Sequence, residues 1–192
     1  MSIELPKMSP QITSPSIKLL TTYYSNGQKK AEGNWDGQDP VGDHYSWYEN
    51  GNIKDEAIGF DGPIQTTTCW YDNGHMKSKR SYSVEDHFEE IGLWTDCYKN
   101  GNKKSEGTYE VEDGRMGEWR FWYQNGELAC SGVHKGWEGN GLWSFFESNG
   151  KKIHERVYVK SELLEVWKNL SISGCSDELI DQFKQLIFSD EY

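Results

Sequence analysis

Residues 122–126 read Trp-Tyr-Gln-Asn-Gly, and the fold follows from how often this pattern returns. It recurs as YYSNG at 23–27, WYENG at 47–51, WYDNG at 70–74 and CYKNG at 97–101, with a looser copy, FESNG, at 146–150. Neighbouring copies begin 23 to 27 positions apart. A regular spacing of about 20 to 50 residues indicates an array of structural repeats.

Each copy ends in Asn-Gly, which predicts a tight β-hairpin turn. A type I′ turn needs φ > 0 at both central residues, and Asn and Gly adopt this conformation most readily. Between the copies lie further turn-forming stretches, among them DGQDPVG, FDGP, EVEDGRMG and KGWEGNG. We therefore predict a mostly β fold, a meander of antiparallel strands. The Asn-Gly turns lie along one edge, and loops rich in Asp and Gly lie along the other.

Alternation along these strands predicts which face of the sheet is the core. One face collects large rings and places small residues opposite them, which favours interdigitation of the side chains. The rings are Trp94, Trp119 and Trp143, Tyr24, Tyr48, Tyr71, Tyr98 and Tyr123, and then Trp35, Tyr82, Tyr109, His134 and Tyr158. The small residues are Gly33, Ala57, Gly107 and Gly132. We expect this face to be buried.

The other face carries the first aromatic residue of each motif. In a two-residue hairpin, the residue three before Asn lies opposite the residue three after Gly. The resulting pairs Tyr23–Lys30, Trp47–Lys54 and Trp70–Lys77 place an ammonium group over a ring. The pairs Trp122–Ala129 and Phe146–Ile153 leave apolar surface that another element should cover.

The C-terminal segment is the candidate for that cover. Residues 161–170 and 176–188 have apolar side chains at helical spacing, each after a Ser that suits an N-cap. Repeat arrays need terminal caps, so we expect two capping helices at the end of the sheet. In the alternative, the last helix packs on a partner. The predicted organisation is a flexible arm over 1–16, a hairpin repeat array over 17–158 and a helical cap over 159–192.

Composition and charge limit the classes of partner and the compartment that we expect for this protein. Aromatic residues make up 14% of the chain, so the core is built largely from rings. The net charge of −11 disfavours nucleic acid and anionic lipid, and favours a basic protein partner. Four scattered cysteines suit reduced thiols. With neither a signal peptide nor a membrane-spanning stretch in the sequence, we expect a cytoplasmic protein.

The recurring unit G-x-W-x-x-W-Y-x-N-G-x-x-K-x-x-G resembles the variant MORN repeat found in the YwqK family of antitoxin-like bacterial proteins. The resemblance covers about residues 17–158, with departures at Gln65, Thr67 and Glu147. It implies an elongated, twisted sheet of about six MORN-like hairpins that binds proteins, often by neutralising a toxin encoded nearby.

No constellation in the sequence predicts catalysis. His44 and His134 occupy ring positions of the repeat, which indicates core packing. The cluster Glu85, Asp86, His87, Glu89 and Glu90 lies in the longest loop between repeats, and we interpret it as a solvated acidic loop rather than a cation site. Nucleotide-binding and hydrolase motifs are missing. We predict no enzymatic activity, no cofactor and no metal.

The favoured hypothesis is an antitoxin or immunity-type protein that occludes the active site of a basic toxin or enzyme. The aromatic anchors would be Trp47, Trp70 and Trp122. The acids that steer association would be Asp36, Asp61, Glu85, Asp86, Glu112 and Asp113.

Three alternatives stay open at this point. Repeats of Trp and Tyr hairpins also bind glycans or choline, where rings stack on sugars or surround a cation. MORN proteins are also associated with membrane scaffolds. Finally, an exposed edge of the sheet can pair between chains, which would give a homodimer.

Overall fold

A computed structural model describes residues 16–136, 138–159 and 162–164 of the chain. They form one sheet of 13 antiparallel strands whose order in the sheet is their order in the sequence. The strands are β1 (Ile17–Tyr23), β2 (Lys29–Asp36), β3 (Asp39–Trp47), β4 (Ile53–Ile58), β5 (Ile64–Trp70), β6 (Met76–Ser83), β7 (Glu89–Cys97), β8 (Lys103–Glu110), β9 (Gly114–Trp122), β10 (Leu128–Lys135), β11 (Glu138–Phe146), β12 (Lys152–Val159) and β13 (Glu162–Leu164). Each motif copy forms the turn of one hairpin, from β1–β2 to β11–β12, which confirms the predicted meander.

The Asn-Gly turns are not the predicted type I′ turns. In the β9–β10 hairpin, the Gly126 N–H donates to the Tyr123 carbonyl (2.9 Å), and the Tyr123 N–H donates to the Glu127 carbonyl (2.8 Å). Gly126 has φ of 94°, whereas Asn125 keeps a negative φ. This is a three-residue loop, in which a type I turn precedes a left-handed glycine and a bulge. The other five hairpins have the same two hydrogen bonds.

The longer loop shifts the strand pairing beside each turn by one residue. Trp122 lies opposite Leu128 rather than Ala129, and Trp47 lies opposite Ile53 rather than Lys54. The same correction applies to Tyr23, Trp70 and Phe146, which lie opposite Lys29, Met76 and Lys152. A second bulge restores the predicted register further along. The predicted assignment of side chains to the two faces is therefore correct in the parts of the strands that lie away from the turns. The predicted ring–lysine pairs beside the turns are wrong.

The core is a row of rings on the predicted face. Neighbouring centroids in the row are 4.3 to 5.9 Å apart, mostly in edge-to-face or tilted contacts, which are favourable for aromatic pairs. The row runs through Tyr82, Trp94, Tyr109, Trp119, His134 and Trp143. Among the described residues, the buried hydrophobic side chains all lie between β7 and β12. The second half of the array therefore has the denser core.

Glycines in the second strand of a hairpin make room for rings of the next hairpin. A Cβ atom on Gly107 would stand 2.1 Å from Cδ2 of Trp119, and one on Gly132 would stand 2.1 Å from Cδ2 of Trp143. The ring therefore lies flat against the neighbouring backbone, where any side chain would displace it. Large rings do pack over small residues as predicted, and the packing joins consecutive hairpins.

Two further motif residues tie each hairpin to the next. The Tyr98 hydroxyl donates to the Trp122 carbonyl (2.8 Å), and Asn100 Nδ2 donates to the Gln124 carbonyl (2.7 Å). Equivalent bonds start from Tyr24, Tyr48, Tyr71 and Tyr123, and from Asn26, Asn50, Asn73 and Asn125. The motif is therefore repeated because each copy supplies the donors for the joint that follows it.

The C-terminal prediction is corrected at its start. Residues 162–164, which were expected to begin the first capping helix, form β13 and pair with β12 through Val157 and Leu164. Strand pairing continues the antiparallel ladder and satisfies the backbone groups that a helix would have bonded internally. Residues 160–161 and 165–192 of the predicted cap, and nearly all of the predicted N-terminal arm, lie outside the described residues.

Candidate functional site

The three predicted aromatic anchors lie on the outer face, the face opposite the ring row, beside the Asn-Gly turns. Trp47, Trp70 and Trp122 are each half-buried. Lys29 Nζ lies 5.0 Å from the Trp47 ring centroid, and Lys103 Nζ lies 5.6 Å from that of Trp122. In both cases the lysine comes from the preceding hairpin. These ammonium groups cover the ring faces that a sugar would stack on.

Three carboxylates on the outer face are paired with lysines, two of them with the lysines that cover Trp47 and Trp122. Lys29 pairs with Glu32 (2.7 Å), Lys103 pairs with Glu106 (2.5 Å), and Lys152 pairs with Glu155. The hydrogen bond from Lys29 holds the pKa of Glu32 below its usual range, and Lys152 does the same for Glu155. At these three positions the outer face therefore presents matched charges.

The edge of the sheet opposite the Asn-Gly turns is different. We call it the acidic edge and define it by the loops at 37–38, 59–63, 84–88 and 111–113 and by Gly136, together with the strand ends beside them. Its acids are Asp36, Asp39, Asp61, Glu85, Asp86, Glu89, Glu90, Glu110, Glu112, Asp113 and Glu138. Its basic residues are Lys135 and the buried Arg115. Within the part of the chain that the structure describes, none of these acids forms a salt bridge.

The acidic edge contains all six acids predicted as partner-binding residues. Because each hairpin adds two strands, successive loops follow one another about every 10 Å along this edge. Trp47 and Trp122 lie at the other ends of nine-residue strands, roughly 27 Å away along the strand direction, and Trp70 lies at the far end of the seven-residue β5, roughly 20 Å away. The structure therefore brings the acids together with one another and separates them from the three tryptophans.

The loop at 84–88 is the most distinctive segment of the acidic edge. The Phe88 N–H donates to the Ser83 carbonyl (2.8 Å), and the Ser83 hydroxyl donates to Asp86 Oδ2 (2.5 Å). His87 and Phe88 both have positive φ, 57° and 64°. A left-handed backbone is unfavourable for a bulky residue such as Phe, so the loop is held in a costly conformation by its hydrogen bonds.

Phe88 is the exposed ring of this loop. Its side chain is 52% exposed, and Glu85, Asp86, Glu89 and Glu90 flank it in sequence. The next loop is tied to this one, because the Glu112 N–H donates to Glu89 Oε2 (2.7 Å) and Glu112 itself has φ of 64°. The three described non-glycine residues with positive φ are thus all on the acidic edge.

Phe88 is not among the residues predicted from the sequence. The residue lies outside the repeat pattern, so no periodicity marks its position. The available signal was the spacing of 27 between the third and fourth motif copies, which is the longest in the chain and shows that this loop has gained residues. An exposed ring inside an inserted acidic stretch fits recognition better than packing.

Other features do not form a recognisable chemical site. A shallow groove of 190 Å³ between Gln28, Lys29, Trp47 and Gly51 lies beside the turns and is smaller than the roughly 300 Å³ at which small-molecule sites begin. Among the described residues, no group of three or more His, Cys, Asp and Glu side chains could hold a metal ion. No helix in that part of the chain is long and apolar enough to cross a membrane.

Buried titratable groups serve the core. His44 packs between the rings of Trp35 and Phe60, with centroids 5.4 and 4.9 Å away. Burial, together with the nearby Arg115 cation, lowers the pKa of His134 to about 4. Burial raises the pKa of the Cys130 thiol, which is free of disulfide bonds. A neutral His and a protonated thiol are the forms that pack best in such a site.

Comparison with known proteins agrees with the repeat. The family model of the MORN repeat variant matches residues 19–36, 40–58 and 117–135. These segments correspond to the hairpins β1–β2, β3–β4 and β9–β10, so the matched unit is one hairpin. MORN repeats are typically modules that contact proteins or membranes.

One similar solved structure is that of a protein of unknown function from Bacteroides fragilis NCTC 9343. It is 11% identical, and the alignment covers 77% of this chain and 95% of that one. Its TM-score of 0.16 is too low to support an argument about fold or function. No curated protein matches the sequence.

Proposed function

We propose that this chain binds a basic protein through the acidic edge and silences it by covering its active surface, as an antitoxin or immunity protein does. The observation that carries the proposal is the contrast between the two sets of carboxylates. Glu32, Glu106 and Glu155 on the outer face are paired with lysines, whereas none of the acids of the acidic edge forms a salt bridge within the described residues. Unpaired like charges along one edge attract a surface of opposite charge.

Recognition then has two components. The line of acids, repeated about every 10 Å, speeds association with a cationic surface and orients it along the edge. Phe88 supplies the apolar anchor, because its ring is already exposed and its backbone is held by a hydrogen bond to Ser83, so the residue loses little freedom on binding. The length of the acidic edge explains occlusion, because a partner that contacts several of its loops has tens of ångströms of its surface covered.

The test begins with capture. The full chain, immobilised, is exposed to a lysate of the organism that encodes it and washed at about 50 and about 500 mM salt, because screening weakens surface charge attraction. We expect a stoichiometric basic protein that is retained at low salt and released at high salt. Titration calorimetry then measures the dissociation constant of that purified protein, and its own activity is assayed with and without the chain.

Two variants of equal charge locate the interface. Reversal of one acid in the loop at 84–88 and one at the start of β7, Glu85→Lys with Glu90→Lys, should weaken binding by about 100-fold or more. The control, Glu49→Lys with Glu127→Lys, makes the same change in net charge beside the Asn-Gly turns and should weaken it far less. Equal losses in the two variants would refute binding at the acidic edge. If the captured protein stays fully active in the complex, occlusion is refuted, although binding at the acidic edge is not.

A further inference from the structure

The joints between hairpins have a direction. At each joint the earlier hairpin gives the donors, a Tyr hydroxyl and an Asn side-chain amide, and the later hairpin gives backbone carbonyls. The accepting carbonyls belong to the first aromatic residue of the motif, as at Trp122, and to the residue before Asn, as at Gln124. A hairpin at the start of the array therefore has acceptors to offer, and one at the end has donors.

The last hairpin has lost its donors. Glu147 stands where the other motifs have Tyr, and Asn149 Nδ2 donates back to Glu147 Oε2 (2.9 Å) rather than forward. A carboxylate facing another carbonyl would be repulsive. The joint chemistry of the Asn-Gly motif therefore stops at this hairpin, and a second copy cannot continue the array from here in the way one hairpin continues another.

Among the described residues, nothing bonds the corresponding acceptors of the first hairpin. The Tyr24 N–H bonds Gln28 across the turn, so by alternation the N–H and C=O groups of Ile17, Leu19, Thr21 and Tyr23 point away from β2. Trp47, the equivalent of Tyr23, does receive a hydrogen bond on its carbonyl from the preceding hairpin. Within the described residues no strand pairs with this edge of β1.

Strand β1 is also unusually apolar for an exposed edge. Ile17, Leu19, Leu20 and Tyr23 are 51 to 64% exposed. Lys18 is the single charged residue among the seven of the strand. Edge strands that stay unpaired are normally protected by charges, prolines or bulges, and β1 has no Pro and no bulged residue of its own.

We propose that β1 pairs with β1 of a second copy of this chain, antiparallel and across a two-fold axis at Leu20. In this register all four edge-facing residues find partners, Ile17 with Tyr23 and Leu19 with Thr21, each twice. Each such pair exchanges two hydrogen bonds, so about eight form in total. Because the two ends of the array differ, the contact joins like ends and closes as a dimer instead of growing into a filament.

Side chains in this register are compatible on both faces. Ile17 meets Tyr23 and Leu19 meets Thr21 on the outer face, and cross-strand pairs of this kind stabilise sheets. On the core face Leu20 meets its own copy, and Lys18 meets Thr22 rather than another lysine. No charge lies directly opposite a like charge, although each chain carries a net charge of −11.

Charge pairing across the axis tests the proposal. Wild-type chain should sediment as a dimer at about 100 µM, where an interface of modest size is populated. Because residue 20 faces itself, Leu20→Lys alone and Leu20→Glu alone should each sediment as monomers. Mixed in equal amounts, the two variants should recover a dimer that contains one chain of each kind. Native mass spectrometry identifies this heterodimer by its mass.

A matched control separates pairing from general surface effects. Leu142 is 51% exposed, as Leu20 is, and lies on the interior strand β11. Leu142→Lys should therefore leave the dimer intact. A monomeric wild type, as when other residues of the same chain cover β1, would overturn the proposal. So would a dimer that persists in Leu20→Lys, or a mixture that remains monomeric. These measurements need no binding partner, so their outcome is independent of the proposed function.

Discussion

Replacing Tyr98 by Phe removes one oxygen atom from the joint between the fourth and fifth hairpins. That hydroxyl donates to the Trp122 carbonyl at 2.8 Å, and the ring is half-buried. A hydrogen bond of this kind contributes about 1 kcal/mol net, and the carbonyl left without its donor adds a desolvation cost of similar size. We expect Tyr98→Phe to lower the free energy of unfolding by about 1–2 kcal/mol.

Urea denaturation followed by tryptophan fluorescence measures this loss. The control is Tyr23→Phe, because the Tyr23 ring is 62% exposed and its hydroxyl makes no hydrogen bond within the described residues. Tyr48→Phe removes the same bond at a joint roughly 19 Å away, so the double variant with Tyr98→Phe should lose the sum of the two single losses within about 0.5 kcal/mol. A Tyr98→Phe variant as stable as Tyr23→Phe would refute the role of the hydroxyl and leave ring packing as the force that joins the hairpins.

Three further outcomes are expected. Gly107→Ala should destabilise the fold by about 3 kcal/mol in the same urea assay, because its Cβ would stand 2.1 Å from the Trp119 ring, which is only 2% exposed and cannot move aside. Acidification should lower the free energy of unfolding by about 3 kcal/mol through His134, whose pKa of about 4 in the folded protein lies below its value of 6.5 in the unfolded chain. Because the unfolded state takes up the proton first, stability falls as the pH drops from about 6.5 to 4. His134→Gln should flatten this dependence of stability on pH. Phe88→Gly should leave the free energy of unfolding unchanged or raise it, because glycine adopts the left-handed backbone without strain, and it should abolish capture of the partner. A decrease of more than about 0.5 kcal/mol in the free energy of unfolding would show that Phe88 is a packing residue.

The sequence predicts the strands and the core face well because that information is local. Each Asn-Gly marks a reversal of the chain, and ring and glycine positions alternate within a few residues of it. The predicted turn type was wrong because the Asn of the motif also bonds the neighbouring hairpin, besides forming its own turn. Asn125 accepts from the Glu127 N–H through Oδ1 and donates through Nδ2 to the Ser148 carbonyl, 23 residues later. That contact depends on the neighbouring hairpin, which a motif considered alone does not show.

The candidate site was predicted only in part for a related reason. The loop acids were recognised from charge, and charge at a loop is visible in the sequence. Which carboxylates find a lysine depends on the pairing of strands, as at Glu32 and Lys29. The exposure of Phe88 depends on a loop conformation outside the repeat, and the cover over Trp47 comes from a lysine of the previous hairpin. These features follow from the assembled sheet.

The hydrogen bonds at the Asn-Gly turns also set the chemical ageing of the protein. Asn followed by Gly loses ammonia readily, because the glycine nitrogen can attack the Asn side-chain carbonyl and close a succinimide ring. In the folded turn both reacting groups are engaged: the Gly101 N–H is bonded to Tyr98, and the Asn100 amide is bonded on both sides. Each intact joint therefore protects the amide within it. A hairpin that opens exposes its Asn to conversion into Asp. The Asp side chain has no N–H to donate to the neighbouring carbonyl, so a brief opening of the hairpin would remove this hydrogen bond irreversibly.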